Sequence, residues 1–426
     1  MEKHTFATSL IAGFTLAGGI VQAQAPQYVA DASTDAYGEA TAIATTTPSL
    51  TDAQSSYVVA AFPDADGDLE IKAWQDTTSK LVKIGEYPAG GNPIAAVAAV
   101  GLDSSHVMTA DVDQTGILSL MTWTLGGSEA ITALNGYDSP AGTANQNASS
   151  IGVAALSATQ VVTASEDNLQ NLILQAWTVG DTSAQPVKFG PETNAGFVGQ
   201  LSIAALDSQT LITATTNKKD YLVITTWGVS SSGVQMQDQY VQKTQVAGTT
   251  GTVSIAAGTV TSYVVRFPAV APSRTAVTPI VIPTDNTLEV LYWTISSSGK
   301  ISKPTVKMGA PNDGTSVTAA CMLPAGVPMS VFNSLVSGGS DQDILVGWFG
   351  FTGESSVTAV SGLGSGIYNV AAVAAGDDFK PLSPAAQVSA YFITAALTST
   401  GMSPATPTPG SYRLQKWSYP VKLPNP

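Results

Sequence analysis

The chain is poor in the side chains that most often carry chemistry. Its 426 residues include one cysteine, Cys321, two histidines, His4 and His106, and three arginines, Arg266, Arg274 and Arg413. A single cysteine excludes an intramolecular disulfide, and its place beside Ala319-Ala320 reads as a small buried hydrophobe. With His106 alone beyond the N-terminal segment, the chain lacks the ligands for a zinc centre and the base for a Ser-His-Asp or Cys-His pair. No Gly-x-Ser-x-Gly elbow and no Walker loop occurs. Charged residues make up only 11% of the chain, against about 25% in ordinary soluble domains. The net charge of −14 argues against nucleic acid and against anionic membrane surfaces as partners. Beyond residue 25 no apolar run is long enough to span a bilayer, so no membrane insertion is expected of the mature chain.

What the chain does have is tryptophan in a fixed setting. All seven, Trp74, Trp123, Trp177, Trp227, Trp293, Trp348 and Trp417, close a stretch like Asn171-Leu-Ile-Leu-Gln-Ala-Trp177. An aliphatic residue stands three places earlier each time: Ile71, Leu120, Leu174, Ile224, Val290, Leu345 and Leu414. Leu69, Leu118, Leu172, Leu222 and Leu288 extend the alternation, which Asp343 and Tyr412 break. Apolar spacing of two ending in an aromatic is a strand signal.

The surroundings repeat as well. Val153-Ala-Ala-Leu156 precedes the tryptophan by about two dozen residues, with echoes at Val97, Ile203 and Ile255. A second strand lies between, as in Val161-Val-Thr-Ala164, and a fourth short run follows, as in Gln185-Pro-Val-Lys-Phe189. Successive tryptophans are 49, 54, 50, 66, 55 and 69 residues apart. Four short strands repeating at somewhat more than about 40–50 residues resemble propeller blades with inserted loops. Paired alanines suit inner strands crowded at an axis, and tryptophan fills the gap between neighbouring blades. The expectation is an all-β chain folded as a seven-bladed β-propeller, with four-stranded antiparallel blades around a central axis.

The domain reading follows. Residues 1–25 read as a signal peptide, with Lys3, an apolar Phe6–Val21 run, and cleavage after Ala23 or Ala25. The protein is therefore expected to be secreted, periplasmic or extracellular, and bacterial. Residues 26–38 are expected to pair with the last blade and close the ring, 39–417 to form the propeller, and 418–426 to be a tail or closing strand. Blades after the first should start near Ile94, Ile151, Leu201, Val253, Val317 and Asn369. Proline-rich loops are expected at Phe267–Asn286, between the second and third strands of blade five, and at Ala396–Ser411 in blade seven.

One face should gather the loops before each inner strand and those between strands two and three. There the sequence places Asp64, Asp66 and Asp68, then Asp111 and Asp113, then Glu166 and Asp167. Asp138 and Glu192 add acid, and Tyr87, Tyr137 and Phe197 add aromatic surface. The binding set is thus Tyr87, Asp111, Asp113, Tyr137, Asp138, Glu166, Asp167, Glu192 and Phe197, although Asp and Gly also populate turns for backbone reasons. Asp64-Ala-Asp66-Gly-Asp68 resembles the calcium loops of integrin-type propellers, which implies Ca²⁺ at those three carboxylates. The same residues also suit an Asp-Gly hairpin. The repeats lack the Trp-Asp ending of WD repeats and the paired glycines of kelch, so no family's functional residues carry over.

Propeller glycosidases need two carboxylates near the axis, yet the inner strands are nearly free of acids, with Glu39 the nearest. The sequence thus favours a non-catalytic binding or surface-interaction module that recognises an extracellular glycan or protein through the acidic loop face, acting as a monomer and needing no cofactor unless Ca²⁺ binds. A carboxylate-dependent polysaccharide hydrolase and a structural envelope protein are the alternatives.

Overall fold

The computed structural model describes residues 27–36, 42–46, 56–77, 79–126, 130–140, 150–180, 185–246, 253–260, 273–282, 287–311, 318–323, 327–335, 342–349, 355–360, 367–377, 388–398 and 410–421. The signal peptide and its cleavage sites, and Glu39, lie outside these residues. Among the described residues every regular element is a strand and the pairing within sheets is antiparallel.

An N-terminal strand, β1 (Gln27–Ala36), comes first, and four-stranded sheets follow in chain order. Sheet one is β2 (Ala42–Thr45), β3 (Tyr57–Pro63), β4 (Leu69–Asp76) and β5 (Leu81–Pro88). Sheet two is β6 (Ile94–Gly101), β7 (His106–Asp113) and β8 (Leu118–Leu125), with an outer strand broken into β9 (Ile131–Ala133) and β10 (Tyr137–Asp138). Sheet three is β11 (Ile151–Ser157), β12 (Gln160–Glu166), β13 (Asn171–Thr178) and β14 (Val187–Phe197). Sheet four is β15 (Leu201–Asp207), β16 (Thr210–Thr216), β17 (Tyr221–Ser230) and β18 (Gly233–Gln245). Sheet five is β19 (Ala256–Val260), β20 (Ser273–Ile282), β21 (Thr287–Ile295) and β22 (Thr305–Pro311). Sheet six is β23 (Thr318–Leu323), β24 (Val327–Leu335), β25 (Gln342–Phe349) and β26 (Ser355–Val360). The last is β27 (Ile367–Asp377), β28 (Val388–Thr398) and β29 (Gly410–Val421), and its fourth strand is β1, which runs antiparallel to β29 from Gln27 opposite Ser418 to Ala36 opposite Gly410.

The first strands of successive sheets touch in order, β2 to β6, β11, β15, β19, β23 and β27, and β27 returns to β2. Among the described residues, neighbouring sheets bury apolar side chains against one another. Between sheets one and two lie Val59, Ile71, Ala73, Val107, Trp123 and Leu125, and between sheets two and three Met108, Ala110, Leu120, Val161 and Trp177. At the seam between the last sheet and the first, Ile393 and Leu414 meet Val58, Phe62 and Trp74. Fully buried Lys416 of β29 donates there to Asp76 Oδ1 and to the Thr77 carbonyl at 2.8 Å. Ser56 Oγ donates to the other Asp76 oxygen at 3.3 Å. A lone buried ammonium would cost several kcal/mol, so this contact ties residues 340 positions apart.

A buried indole needs an acceptor for its N–H, and the repeat supplies one. Trp123, Trp177 and Trp227 donate to Thr109, Thr163 and Thr213 at 2.9 Å, and Trp293 donates to Thr278 at 3.1 Å. This pairing corrects the expected loop in sheet five. The second strand is Ser273–Ile282, which holds Thr278 beside Trp293 and takes Pro279 into register with Val290, so the long connection precedes that strand. In the last sheet, residues 418–421 continue β29.

Candidate functional site

A cleft of about 250 Å³ opens between sheets two and three, slightly under the size of pockets that enclose drug-sized ligands. Sheet two contributes Leu118, Tyr137 and Ser139; sheet three contributes Thr163 and Ser165 from β12, Ile173, Gln175 and Trp177 from β13, and Lys188 and Glu192 from β14. Strand alternation explains the set, since Thr163 and Ser165, and Ile173, Gln175 and Trp177, are spaced by two and share one face.

The walls are ordered by their own contacts. Tyr137 lies against the Trp177 ring at 4.8 Å between centroids, and Lys188 Nζ stands 5.7 Å from that ring. Lys188 and Glu192 approach to 3.8 Å while staying largely exposed at the mouth, a pairing worth little to stability but able to offer donor and acceptor together. Ser139 Oγ accepts the Leu118 N–H at 2.9 Å. Gln175 is 3% exposed, and its Nε2 donates to the Ala176 carbonyl at 2.7 Å and the Gly190 carbonyl at 3.2 Å. Its Oε1 is buried and has no hydrogen-bond partner. Leaving a buried acceptor unmade costs about 1–3 kcal/mol, which a donor arriving from a ligand would recover.

Two of the residues picked out in the sequence, Tyr137 and Glu192, line this cleft. Neither stands in a loop: Tyr137 and Asp138 form β10, and Glu192 lies inside β14. Phe197 ends β14 with Lys218 Nζ 5.1 Å from its ring. Tyr87 lies in β5 and packs edge-on against Trp123, 5.3 Å between centroids.

The remaining acids fall into two groups. Asp64 Oδ1 accepts the N–H groups of Asp66 and Asp68 at 2.9 and 3.0 Å. Asp113 Oδ1 takes those of Thr115 and Ile117, and Asp167 Oδ1 those of Leu169 and Asn171. Asn217 Oδ1 accepts in the same way from Lys219 and Tyr221. Since a neutral amide fills the fourth place, the position demands an acceptor for a tight turn rather than a charge. Three residues beyond each cap the backbone is left-handed, at Gly67, Gly116, Gln170 and Asp220. Burial pushes Asp113 and Asp167 up, but the hydrogen bonds they accept outweigh it and hold both below the ordinary carboxylate range. Among the described residues no three His, Cys, Asp or Glu side chains gather closely enough to hold a metal ion, so Asp64, Asp66 and Asp68 do not form such a cluster.

Glu166 and Asp111 are both buried, at 4% and 7% exposure. Burial, and then the charges of Asp138 and Asp113, push the Asp111 carboxyl up to about 7. His106 sits at the opposite end of β7, where its Nδ1 meets Asp103 at 2.8 Å and Ser105 Oγ at 3.3 Å. A Ser-His-Asp relay needs serine and carboxylate on different ring nitrogens; here both meet Nδ1, and Asp103 Oδ1 also accepts the N–H of Ser105 and of His106 at 2.8 Å each. The threonine acceptors and Gln175 were not singled out by sequence, though the threonines recur at a constant 14 residues before Trp123, Trp177 and Trp227.

No protein-family model matches the chain, and a search of curated protein sequences finds no match. Among solved structures, the BP39L lectin from Burkholderia pseudomallei superposes with a TM-score of 0.53 at 14% identity, over 86% of this chain and 98% of that one. A protein from Lactobacillus plantarum gives 0.48 at 14% identity, over 76% and 84%. A six-bladed β-propeller fungal lectin from Aleuria aurantia gives 0.40 at 11% identity, over 75% and 95%. At these identities the likeness concerns the fold alone. The chain is an all-β protein of antiparallel four-stranded sheets, arranged as in β-propeller proteins.

Proposed function

We propose that this protein is a secreted, non-catalytic glycan-binding propeller of seven blades, and that the cleft between sheets two and three is a saccharide site. The observation that carries this reading is the buried, unpartnered Gln175 Oε1 beside the Tyr137–Trp177 wall. A sugar ring needs an apolar surface for its C–H groups and separate donors and acceptors for its hydroxyls. The cleft offers Trp177 and Tyr137 for the first, and Gln175, Lys188 and Glu192 for the second. That the Burkholderia protein sharing the fold is a lectin agrees with this reading. The cleft is preferred to the acidic turn rim because the carboxylates of Asp64, Asp113 and Asp167 already serve their own turns.

The mature chain is read as a monomer whose residues 26–38 complete the last blade, and as an exported protein beginning after Ala23 or Ala25. A glycan array followed by calorimetric titration tests the function. Binding to a neutral saccharide should weaken at least tenfold in Gln175→Met with the melting temperature retained. An array with no bound glycan, or a Gln175→Met protein that binds normally, would sink the proposal.

A further inference from the structure

The side-chain amide of Gln175 is fixed end for end. Its Nε2 donates to the Ala176 and Gly190 carbonyls at 2.7 and 3.2 Å, and turning the amide over would set its oxygen against those two acceptors. The end without a partner is therefore Oε1, which accepts and cannot donate. On β13 Gln175 stands between Ile173 and Trp177, which share its face and line the same cleft, and buried Leu118 lines it from sheet two. Thr163 Oγ1 is already engaged, accepting the Trp177 indole N–H at 2.9 Å and donating to the Gln175 carbonyl at 3.4 Å. This part of the cleft thus calls for one donor carried beside apolar surface.

A sugar hydroxyl donates, but its oxygen also needs donors of its own, and lone pairs buried unpaired against Leu118 and Ile173 are costly. An amide N–H only donates. A secondary amide is also planar and trans, which puts an acetyl methyl on the same side as the N–H and the carbonyl on the other. An acetamido group therefore carries donor and methyl inward together. It returns its carbonyl to the mouth, where Lys188 holds an exposed ammonium.

We infer that the cleft between sheets two and three selects 2-acetamido sugars over their parent hexoses, with the N–H on Gln175 Oε1 and the methyl against Leu118 and Ile173. The inference rests on the reading of this cleft as a saccharide site and adds the group by which it tells sugars apart. The Tyr137–Trp177 wall suits any pyranose ring; Gln175 and Ile173 supply the discrimination.

The full chain is titrated calorimetrically with N-acetylglucosamine, N-acetylgalactosamine, glucose and galactose, and each bound sugar is then examined by saturation-transfer NMR. At least one acetamido sugar is expected to bind about tenfold or more tightly than its parent hexose, with its acetyl methyl receiving the strongest saturation. Gln175→Met should remove most of that preference. Ile173→Ala leaves the hydrogen bonds of Gln175 in place and opens space around the methyl. It should weaken the acetamido sugar severalfold and the hexose little, so it reports on the site even if Gln175→Met folds poorly. Hexoses bound as tightly as their acetamido counterparts, or array hits confined to sugars without an acetamido group, would overturn this inference and leave the saccharide site standing. A preference that survives in both variants would overturn it as well. An array with no bound glycan would remove the site and the inference together.

Discussion

The two faces of sheet two share a frame and differ in what they present. In both, a threonine accepts a buried indole N–H and a tyrosine from the preceding sheet packs on the indole. One then presents Ser165, Gln175 and Lys188, the other Asp111, Met121 and Ala133. Farther round, the places of Asp111 and Ser165 are taken by Thr215 and Ile280, two beyond Thr213 and Thr278. The frame is what a blade needs in order to pack, so it repeats. The variable places lie on the sheet faces between the shared residues, where their chemistry changes from repeat to repeat.

The largest expected effect concerns buried Asp111. Asp111 has a folded pKa of about 7 against an ordinary 3.8, so between these values the folded state holds a proton that the unfolded state releases. Stability is full below pH 4 and falls as pH rises through 7, by on the order of 4 kcal/mol. Urea unfolding at pH 5 and pH 8 should show the part of this fall that lies above pH 5, about 3 kcal/mol, in the native protein and little of it in Asp111→Asn. An unchanged difference in the variant would assign it elsewhere.

The shared frame is tested next. Thr109→Val and Thr163→Val each leave a buried indole N–H unpaired, at about 1–3 kcal/mol, and chemical denaturation should find similar costs for both. A clear cost in only one would break the equivalence of the two faces.

Exchanging the variable places sharpens the comparison in binding. Ser165→Asp with Lys188→Ala gives the cleft between sheets two and three the charge pattern found on the other side of sheet two. Neutral glycan should then bind at least tenfold more weakly by calorimetry, about 1.4 kcal/mol, and glucosamine more tightly.

The smallest effect belongs to the turns. Asp64→Asn keeps the acceptor, as Asn217 does, and should stay within about 0.5 kcal/mol of the native protein at pH 7. Asp167 is held below the ordinary range by its hydrogen bonds, against burial. Its contribution is therefore present above that range and lost as pH falls through its folded pKa, a loss that Asp167→Asn should abolish. Thermal melts with excess Ca²⁺ should match those without it; a rise that disappears in Asp66→Asn would restore a metal to the Asp64–Asp68 turn.

The antiparallel strands were legible because period-two spacing and a closing tryptophan are local signals. The β5 and β10 positions of Tyr87 and Tyr137 were not, since an aromatic flanked by Gly, Pro and Asp reads equally well as a loop. Sheet five misled for a related reason: two stretches before Trp293 have strand character, and only the partner of its indole chooses between them. The carboxylates were visible in sequence, but whether each one caps a turn, like Asp113, or is buried between sheets, like Asp111, depends on its place along the strand. Those two residues are adjacent on one face of β7 and differ in fate because Asp113 sits at the hairpin, where backbone N–H groups are free to reach it.

By itself the sequence determined an all-β repeat chain, its antiparallel strands, and a shortage of catalytic side chains, because these follow from spacing and composition. Tertiary structure decided which side chains share a cleft, since every cleft is built by two different repeats. Tyr137 meets Trp177 only once sheet two has packed against sheet three, and no spacing within either repeat encodes that approach.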